Sequence, residues 1–90
     1  SYDISKAIIE VVMSISTLVK TIVVSDSVAG EYKFEIFQSE NAHFYADIFW
    51  KNHDRVWVIE RDGYRFTRAL DIEDAVTGSI RFVERPILKQ

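Results

Sequence analysis

The fold of this 90-residue chain is decided by one stretch, residues 32–66, with the sequence YKFEIFQSENAHFYADIFWKNHDRVWVIERDGYRF. Apolar and polar side chains alternate in two of its segments, residues 32–38 and 42–51. Alternation with a period of two is typical of strands that bury one face of a sheet and expose the other. The two segments therefore predict two neighbouring strands.

The second half of this stretch predicts two more strands. Residues 55–61 are rich in β-branched and aromatic side chains, and the Asp62-Gly63 pair that follows is a strong signal for a tight hairpin. Tyr64 and Phe66 then resume the alternation. We therefore expect a four-stranded antiparallel meander in which each strand pairs with the next one along the chain.

Three short turns set the register of this meander. We expect a three-residue turn at residues 39–41, with Asn41 in the left-handed region, and two-residue turns at residues 53–54 and 62–63. With these turns, the apolar side chains of all four strands lie on one face of the sheet. A slip of one residue at any turn would move an apolar set to the other face, so this agreement supports the register. The shared face is predicted to contain Tyr32, Phe34, Ile36, Phe44, Ala46, Ile48, Trp50, Trp57, Ile59, Tyr64 and Phe66.

Upstream of the meander, an apolar stripe with spacings of three and four residues predicts an amphipathic helix. We expect this helix to extend from about residue 3 to residue 20. Residues 21–24 fit either its last turn or a short strand, because β-branched residues are weak helix formers and common in sheets. The stripe consists of Ile4, Ile8, Val11, Ile15, Leu18 and Ile22.

Downstream, a second amphipathic helix is predicted over about residues 72–84. Asp71 suits the N-cap position because its carboxylate can accept backbone N–H groups of the first turn, and Pro86 is expected to end the helix. Gly78 in the middle costs about 1 kcal/mol relative to Ala, which favours close packing on a neighbouring element. The inward-facing residues are predicted to be Ile72, Ala75, Val76, Ser79, Ile80 and Val83.

Together these elements predict a single α+β domain over residues 1–90. It has an N-terminal helix, a four-stranded antiparallel meander sheet and a C-terminal helix, with both helices on one sheet face. The helices would cover the apolar face, including Trp50 and Trp57, which the register pairs on neighbouring strands. The other face is then open to solvent or to a partner.

Composition narrows the classes of partner. Apolar residues make up 48% of the chain, which is enough for a compact core, and the net charge of −3 with scattered basic residues argues against nucleic acid as a partner. The absence of cysteine fits a reducing compartment and also a secreted protein without disulfides; of the two, a cytoplasmic location is expected. Residues 4–24 are apolar enough to be tested as a membrane span, but Lys6, Glu10 and Lys20 interrupt them and favour a soluble helix.

Two predicted surfaces carry more apolar side chains than a solvated surface needs, which is typical of interaction sites. One is the uncovered sheet face, and the other is the outer side of the N-terminal helix. We therefore predict a partner-binding surface that consists of Phe37, His43, Tyr45, Phe49 and Val58 from the sheet and of Ile9 and Met13 from the helix.

The same sheet face carries a predicted row of charges across the four strands, formed by Lys33, Asp47, Glu60 and Arg65. The two central carboxylates could share a proton as an acid/base pair, but a solvated ladder of ion pairs is the favoured interpretation. The remaining residues form no catalytic, metal-binding or nucleotide-binding motif. No catalytic residue, metal site or cofactor is therefore predicted.

The sequence thus favours a small non-enzymatic protein-interaction domain, of the inhibitor, immunity, adaptor or regulatory-subunit type, that forms a homodimer or binds another protein. The alternative is a ligand-binding protein or enzyme with a pocket between the sheet and the helices. The polar groups that orient a ligand there would come from Tyr32, Trp50, Arg61 and Tyr64. An inward-facing Arg61 or Arg68 without a matching carboxylate would favour this alternative, whereas a flat apolar surface without a cavity would favour the first.

Overall fold

The computed structural model describes residues 14–88 of the chain, with side chains up to residue 85. These residues form four strands and one helix, in the order β1 (Ser16–Asp26), β2 (Gly30–Ser39), β3 (Phe44–Lys51), β4 (Trp57–Arg65) and α1 (Ile72–Leu88). Each strand pairs antiparallel with the next one along the chain, so the sheet is a meander. The helix packs on one face of this sheet, which gives an α+β fold.

The segment before β2 is a strand, so the helix predicted over residues 3–20 is wrong where it overlaps with β1. β1 pairs with β2 from Ser16 opposite Ser39 to Asp26 opposite Gly30. The β-branched residues of β1 lose rotamer freedom in a helix, whereas a pleated strand accommodates them and β2 supplies backbone hydrogen bonds. The first part of the predicted helix lies outside the described residues. In the part of the chain that the structure describes, α1 is therefore the only helix on the sheet face.

The predicted hairpin at Asp62-Gly63 is also wrong, because β4 continues through both residues. A register shift between Ala46 and Ile48 of β3 marks a β-bulge at this point of β4. Gly63 has a φ of 69°, and its N–H donates to Oδ1 of Asp47 at 3.0 Å. A bulge of the G1 type requires a positive φ, as a type I′ turn does, so glycine suits both and the local pattern does not distinguish them.

The β2–β3 connection differs from the predicted turn without changing which side chains face the helix. Ala42, and not Asn41, has the left-handed φ of 61°. Gln38 lies opposite Phe44 rather than opposite Ala42. Because side chains alternate with a period of two, this displacement by two residues leaves Phe44 and Ala46 on the predicted face.

The β3–β4 connection does change the faces, because its turn is one residue longer than predicted. Arg55 is the additional turn residue and has a left-handed φ of 63°. Trp57 consequently lies opposite Lys51, and Val58 lies opposite Trp50. The predicted Trp50–Trp57 pair is therefore wrong, and the two tryptophans lie on opposite faces of the sheet.

The core lies between α1 and the sheet. Phe82, which the predicted stripe omits, makes edge-to-face contacts with three rings of the sheet at centroid distances of 5.1–6.3 Å. Ile80 is 42% exposed, contrary to the prediction. Ser79 is fully buried, and its Oγ donates to the carbonyl oxygen of Ala75 at 2.9 Å. The buried residues are Tyr32, Phe34, Ile36, Phe44, Ala46, Ile48, Phe66, Ala75, Ser79 and Val83.

The start of α1 agrees with the predicted cap. The N–H of Asp74 donates to Oδ1 of Asp71 at 2.9 Å, and the N–H of Leu70 donates to Oδ2 of Asp74 at 2.9 Å. These contacts satisfy backbone groups that have no partner within the helix. The helix continues through Pro86 to Leu88 instead of ending near residue 84, since a proline in the last turn removes only one helical hydrogen bond.

Candidate functional site

The first candidate site is the sheet face opposite α1, which we call the open face because no helix among residues 14–88 lies over it. The strand register arranges its side chains in four rows that cross the strands. Counted from the end that holds the β1–β2 turn, the rows are Ser25–Glu31–Lys51–Trp57, Val23–Lys33–Phe49–Ile59, Thr21–Glu35–Asp47 and Leu18–Phe37–Tyr45–Arg65.

Two aromatic rings stack in the fourth row. Phe37 and Tyr45 lie on neighbouring strands with ring centroids 5.3 Å apart and an interplanar angle of 14°. Cross-strand aromatic pairs restrict each other's rotamers. The pair therefore presents a preorganised apolar surface, next to the exposed side chain of Leu18.

Trp57 is the centre of a second cluster, in the first and second rows. Nζ of Lys51 lies 5.2 Å and Nζ of Lys33 lies 5.3 Å from its ring, and Lys33 is also 4.6 Å from the ring of Phe49. Lys51 in turn forms an ion pair with Glu31 at 3.4 Å. Cation–π contacts contribute about 0.5–1 kcal/mol each at exposed sites, so they favour this packing of the indole ring on the open face.

The third row is acidic. Glu35 lies directly opposite Asp47, and within residues 14–85 neither carboxylate has a cationic side chain at ion-pair distance. The predicted row of four charges across the strands is wrong, because Lys33 lies opposite Phe49 rather than Asp47. The bulges in β4 also displace Arg65, whose guanidinium contacts Nδ1 of His43 at 3.1 Å. The open face therefore has a band of negative charge beside a row that contains a lysine.

The structure brings together only part of the predicted partner-binding surface. Phe37, Tyr45 and Phe49 share the open face. His43 is exposed in the β2–β3 loop at the edge of this face. Val58 lies on the opposite side of the sheet, so its predicted place on the open face is wrong. Ile9 and Met13 lie outside the described residues.

The predicted register places Trp57 and Ile59 in the core, whereas the structure places both on the open face. A signal for the longer turn is present at Asn52. Its Oδ1 accepts the N–H groups of Asp54 at 2.9 Å and Val56 at 3.0 Å. Asparagine before a turn commonly makes such bonds, so it indicates that the turn begins at residue 52 and includes Arg55.

A second candidate site is a groove of about 760 Å³ between the end of β4, the segment that follows it, and one flank of α1. Four of the six arginines of the chain line it, together with two carboxylates. Its floor is aromatic. The lining residues are Tyr64, Arg65, Phe66, Thr67, Arg68, Asp74, Thr77, Gly78, Arg81, Phe82, Glu84 and Arg85.

The groove contains part of the predicted ligand pocket. Of the four residues expected to orient a ligand, Tyr64 lines the groove, and Arg61 lies 5.9 Å from the Tyr64 ring. Arg61 lies opposite Ile48 and therefore points to the α1 side, and no carboxylate of residues 14–85 is at ion-pair distance from it. Tyr32 is buried in the core, where burial raises the pKa of its hydroxyl and the Glu60 carboxylate raises it further.

Among residues 14–88, no group of three histidine, aspartate or glutamate side chains is arranged to hold a metal ion. No helix in this part of the chain is long and apolar enough to cross a membrane. The chain matches no known family model, and neither the curated proteins nor the solved structures contain a significant match.

Proposed function

We propose that this domain is a non-enzymatic protein-interaction module that associates with a second copy of itself through the open face. The observation that carries the proposal is the arrangement of the open face: ordered aromatic clusters on both sides of an unneutralised acidic row. A cytoplasmic location is part of the same proposal and is supported by the absence of cysteine.

The apolar content of the open face supports association. Leu18 is 49%, Val23 53% and Ile59 53% exposed. Leu18 lies beside Phe37 and Ile59 lies beside Phe49, so exposed apolar side chains extend the aromatic clusters on both sides of the acidic row. Contiguous apolar patches with rigid aromatic residues are typical of protein interfaces, where Trp and Tyr contribute most of the binding free energy.

The charges of the open face are self-complementary. We consider a two-fold axis that lies in the interface between the two sheets and runs parallel to the rows, midway between the second and third rows. This axis would place Lys33 of each copy opposite Glu35 of the other. The same axis would place Trp57 of one copy opposite Arg65 of the other, where a guanidinium can stack on the indole. A two-fold contact needs only one self-complementary patch, and two sheets packed face to face lie about 10 Å apart.

The experiment is a charge exchange followed by analytical ultracentrifugation. Lys33→Glu should weaken the dimer at least about tenfold, a loss of roughly 1.4 kcal/mol, because it faces Glu35 of the second copy with a like charge. Glu35→Lys should weaken it for the converse reason. The double variant Lys33→Glu/Glu35→Lys should restore most of the affinity, because the pair is re-formed with its signs exchanged.

Asp54→Lys is the matched control, since it reverses an exposed charge in the β3–β4 turn and should leave the dimer unchanged. A sedimentation mass near 10.5 kDa at high micromolar concentration would contradict self-association. A dimer that tolerates both single charge reversals would place the interface elsewhere and contradict the proposed face.

A further inference from the structure

The arginine-lined groove beside α1 shares Arg65 with the open face but otherwise consists of other residues. Arg68 lies on the segment after β4, whereas Arg81 and Arg85 lie one turn apart on α1. Like charges four residues apart destabilise a helix slightly, and the helix dipole favours only Arg85, which lies in the last turn. The dipole does not explain Arg68, which comes from the opposite wall of the groove.

The carboxylates of the groove do not neutralise these arginines. Within residues 14–85, no carboxylate lies at ion-pair distance from Arg68, Arg81 or Arg85. Asp74 accepts the N–H of Leu70 at the start of the helix, which directs its carboxylate to the cap. The groove is therefore locally basic in a chain whose net charge is −3.

The floor of the groove consists of ring surfaces. Tyr64 contacts Phe66 at a centroid distance of 5.5 Å and Phe82 at 5.1 Å, in both cases edge to face. Gly78 packs directly on the buried ring of Phe66, so the accessible part of the floor consists of Tyr64 and Phe82. Tyr64 and Phe82 are half-buried, and a planar or apolar group can therefore contact them from solvent.

We infer that this groove binds a small phosphorylated molecule with an aromatic ring, of the nucleotide class. The guanidinium groups of Arg81 and Arg85 would hold the phosphate, because guanidinium forms strong, bidentate, charge-assisted hydrogen bonds with phosphate oxygens. The ring would lie on the aromatic floor. The volume of about 760 Å³ falls within the usual range of small-molecule sites.

Isothermal titration calorimetry with three matched probes tests this inference. ADP carries both phosphate and ring, pyrophosphate carries only the phosphates, and adenosine carries only the ring and sugar. ADP should bind at least tenfold more tightly than either of the other two. Its affinity should fall as the salt concentration rises, because the contact with the phosphates is electrostatic.

The variants Arg81→Gln and Arg85→Gln keep helix propensity and should each weaken ADP binding about tenfold or more. Arg55→Gln removes the same charge from the β3–β4 turn and should leave ADP binding unchanged. Circular dichroism checks that each variant is folded. Loss of binding in Arg81→Gln and Arg85→Gln, with retention in Arg55→Gln, would support the site.

Three results would overturn the inference. The first is no heat of binding for ADP at millimolar concentration. The second is equal affinity for ADP and pyrophosphate, because the aromatic floor would then take no part. The third is a single-stranded oligonucleotide that binds much more tightly than ADP and loses affinity in Arg81→Gln, which would make the groove a nucleic-acid contact.

Discussion

Gly78 of α1 packs directly on the ring of Phe66, at the end of the sheet. A Cβ added to Gly78 would lie 2.7 Å from Cδ1 and 3.2 Å from Cε1 of Phe66. Phe66 is 8% exposed and cannot move outward without losing its contact with Tyr64. The glycine is thus required by tertiary packing, although it is a poor residue for the middle of a helix.

We therefore expect Gly78→Ala to destabilise the domain. The gain in helix propensity is about 1 kcal/mol, but overpacking against a buried ring costs about 1–3 kcal/mol. Urea unfolding of wild type, Gly78→Ala, Phe66→Leu and the double variant measures the coupling. The double variant should be more stable than the sum of the two single effects implies, since Leu leaves room for the methyl group. A stabilised Gly78→Ala variant would contradict the close contact.

The bulge in β4 provides a second prediction. Gly63 has a φ of 69°, and no heavy atom lies within 4 Å of an added Cβ. Gly63→Val should therefore destabilise by about 1–3 kcal/mol through backbone strain alone, whereas Gly63→Asn should cost much less because Asn tolerates the left-handed region. Equal stability of the Val and Asn variants in thermal unfolding would show that the bulge does not need a positive φ.

The different environments of two aromatic residues give a third prediction. Phe34 is fully buried under Phe82, so Phe34→Ala should cost about 3–5 kcal/mol. Trp57 is half-buried on the open face, and Trp57→Ala should cost only about 1–2 kcal/mol, chiefly from its two cation–π contacts. Unfolding should be measured at low protein concentration, so that association does not add to the apparent stability. Equal losses would place Trp57 in the core.

Asp26 in the β1–β2 turn predicts a pH dependence. Its Oδ1 accepts the N–H groups of Ala29 and Val28, each at 2.8 Å, and these bonds lower the pKa of the carboxyl below its ordinary value. A carboxyl with a lowered pKa in the folded state stabilises that state above its unfolded pKa of about 3.9, and this stabilisation is lost as the pH falls through the folded pKa.

The variant Asp26→Asn keeps an acceptor oxygen but removes this titration. The difference in thermal stability between wild type and Asp26→Asn should be largest at neutral pH and should shrink below about pH 4. The same difference at pH 7 and at pH 2.5 would show that the charge of Asp26 does not strengthen the turn.

Several features could be predicted from the sequence because they depend on residues that are close together in the chain. The alternation in β2 and β3 identified the residues that face the helix, because the side-chain period of a strand is two and a displacement by two residues preserves it. The start of α1 was predictable because Asp71 caps the helix through groups within one turn. Phe37, Tyr45 and Phe49 were placed on the open face by the same alternation.

Two other features could only be decided by the tertiary structure. The pattern of residues 16–20 predicts a helix and that of residues 21–24 fits either, and pairing with β2 decides for a strand because that pairing supplies hydrogen bonds and a surface for β-branched side chains. The faces of β4 depend on one additional turn residue, Arg55, and on two bulges. A single residue reverses every side chain of a strand, so Trp57 belongs to the open face rather than the core.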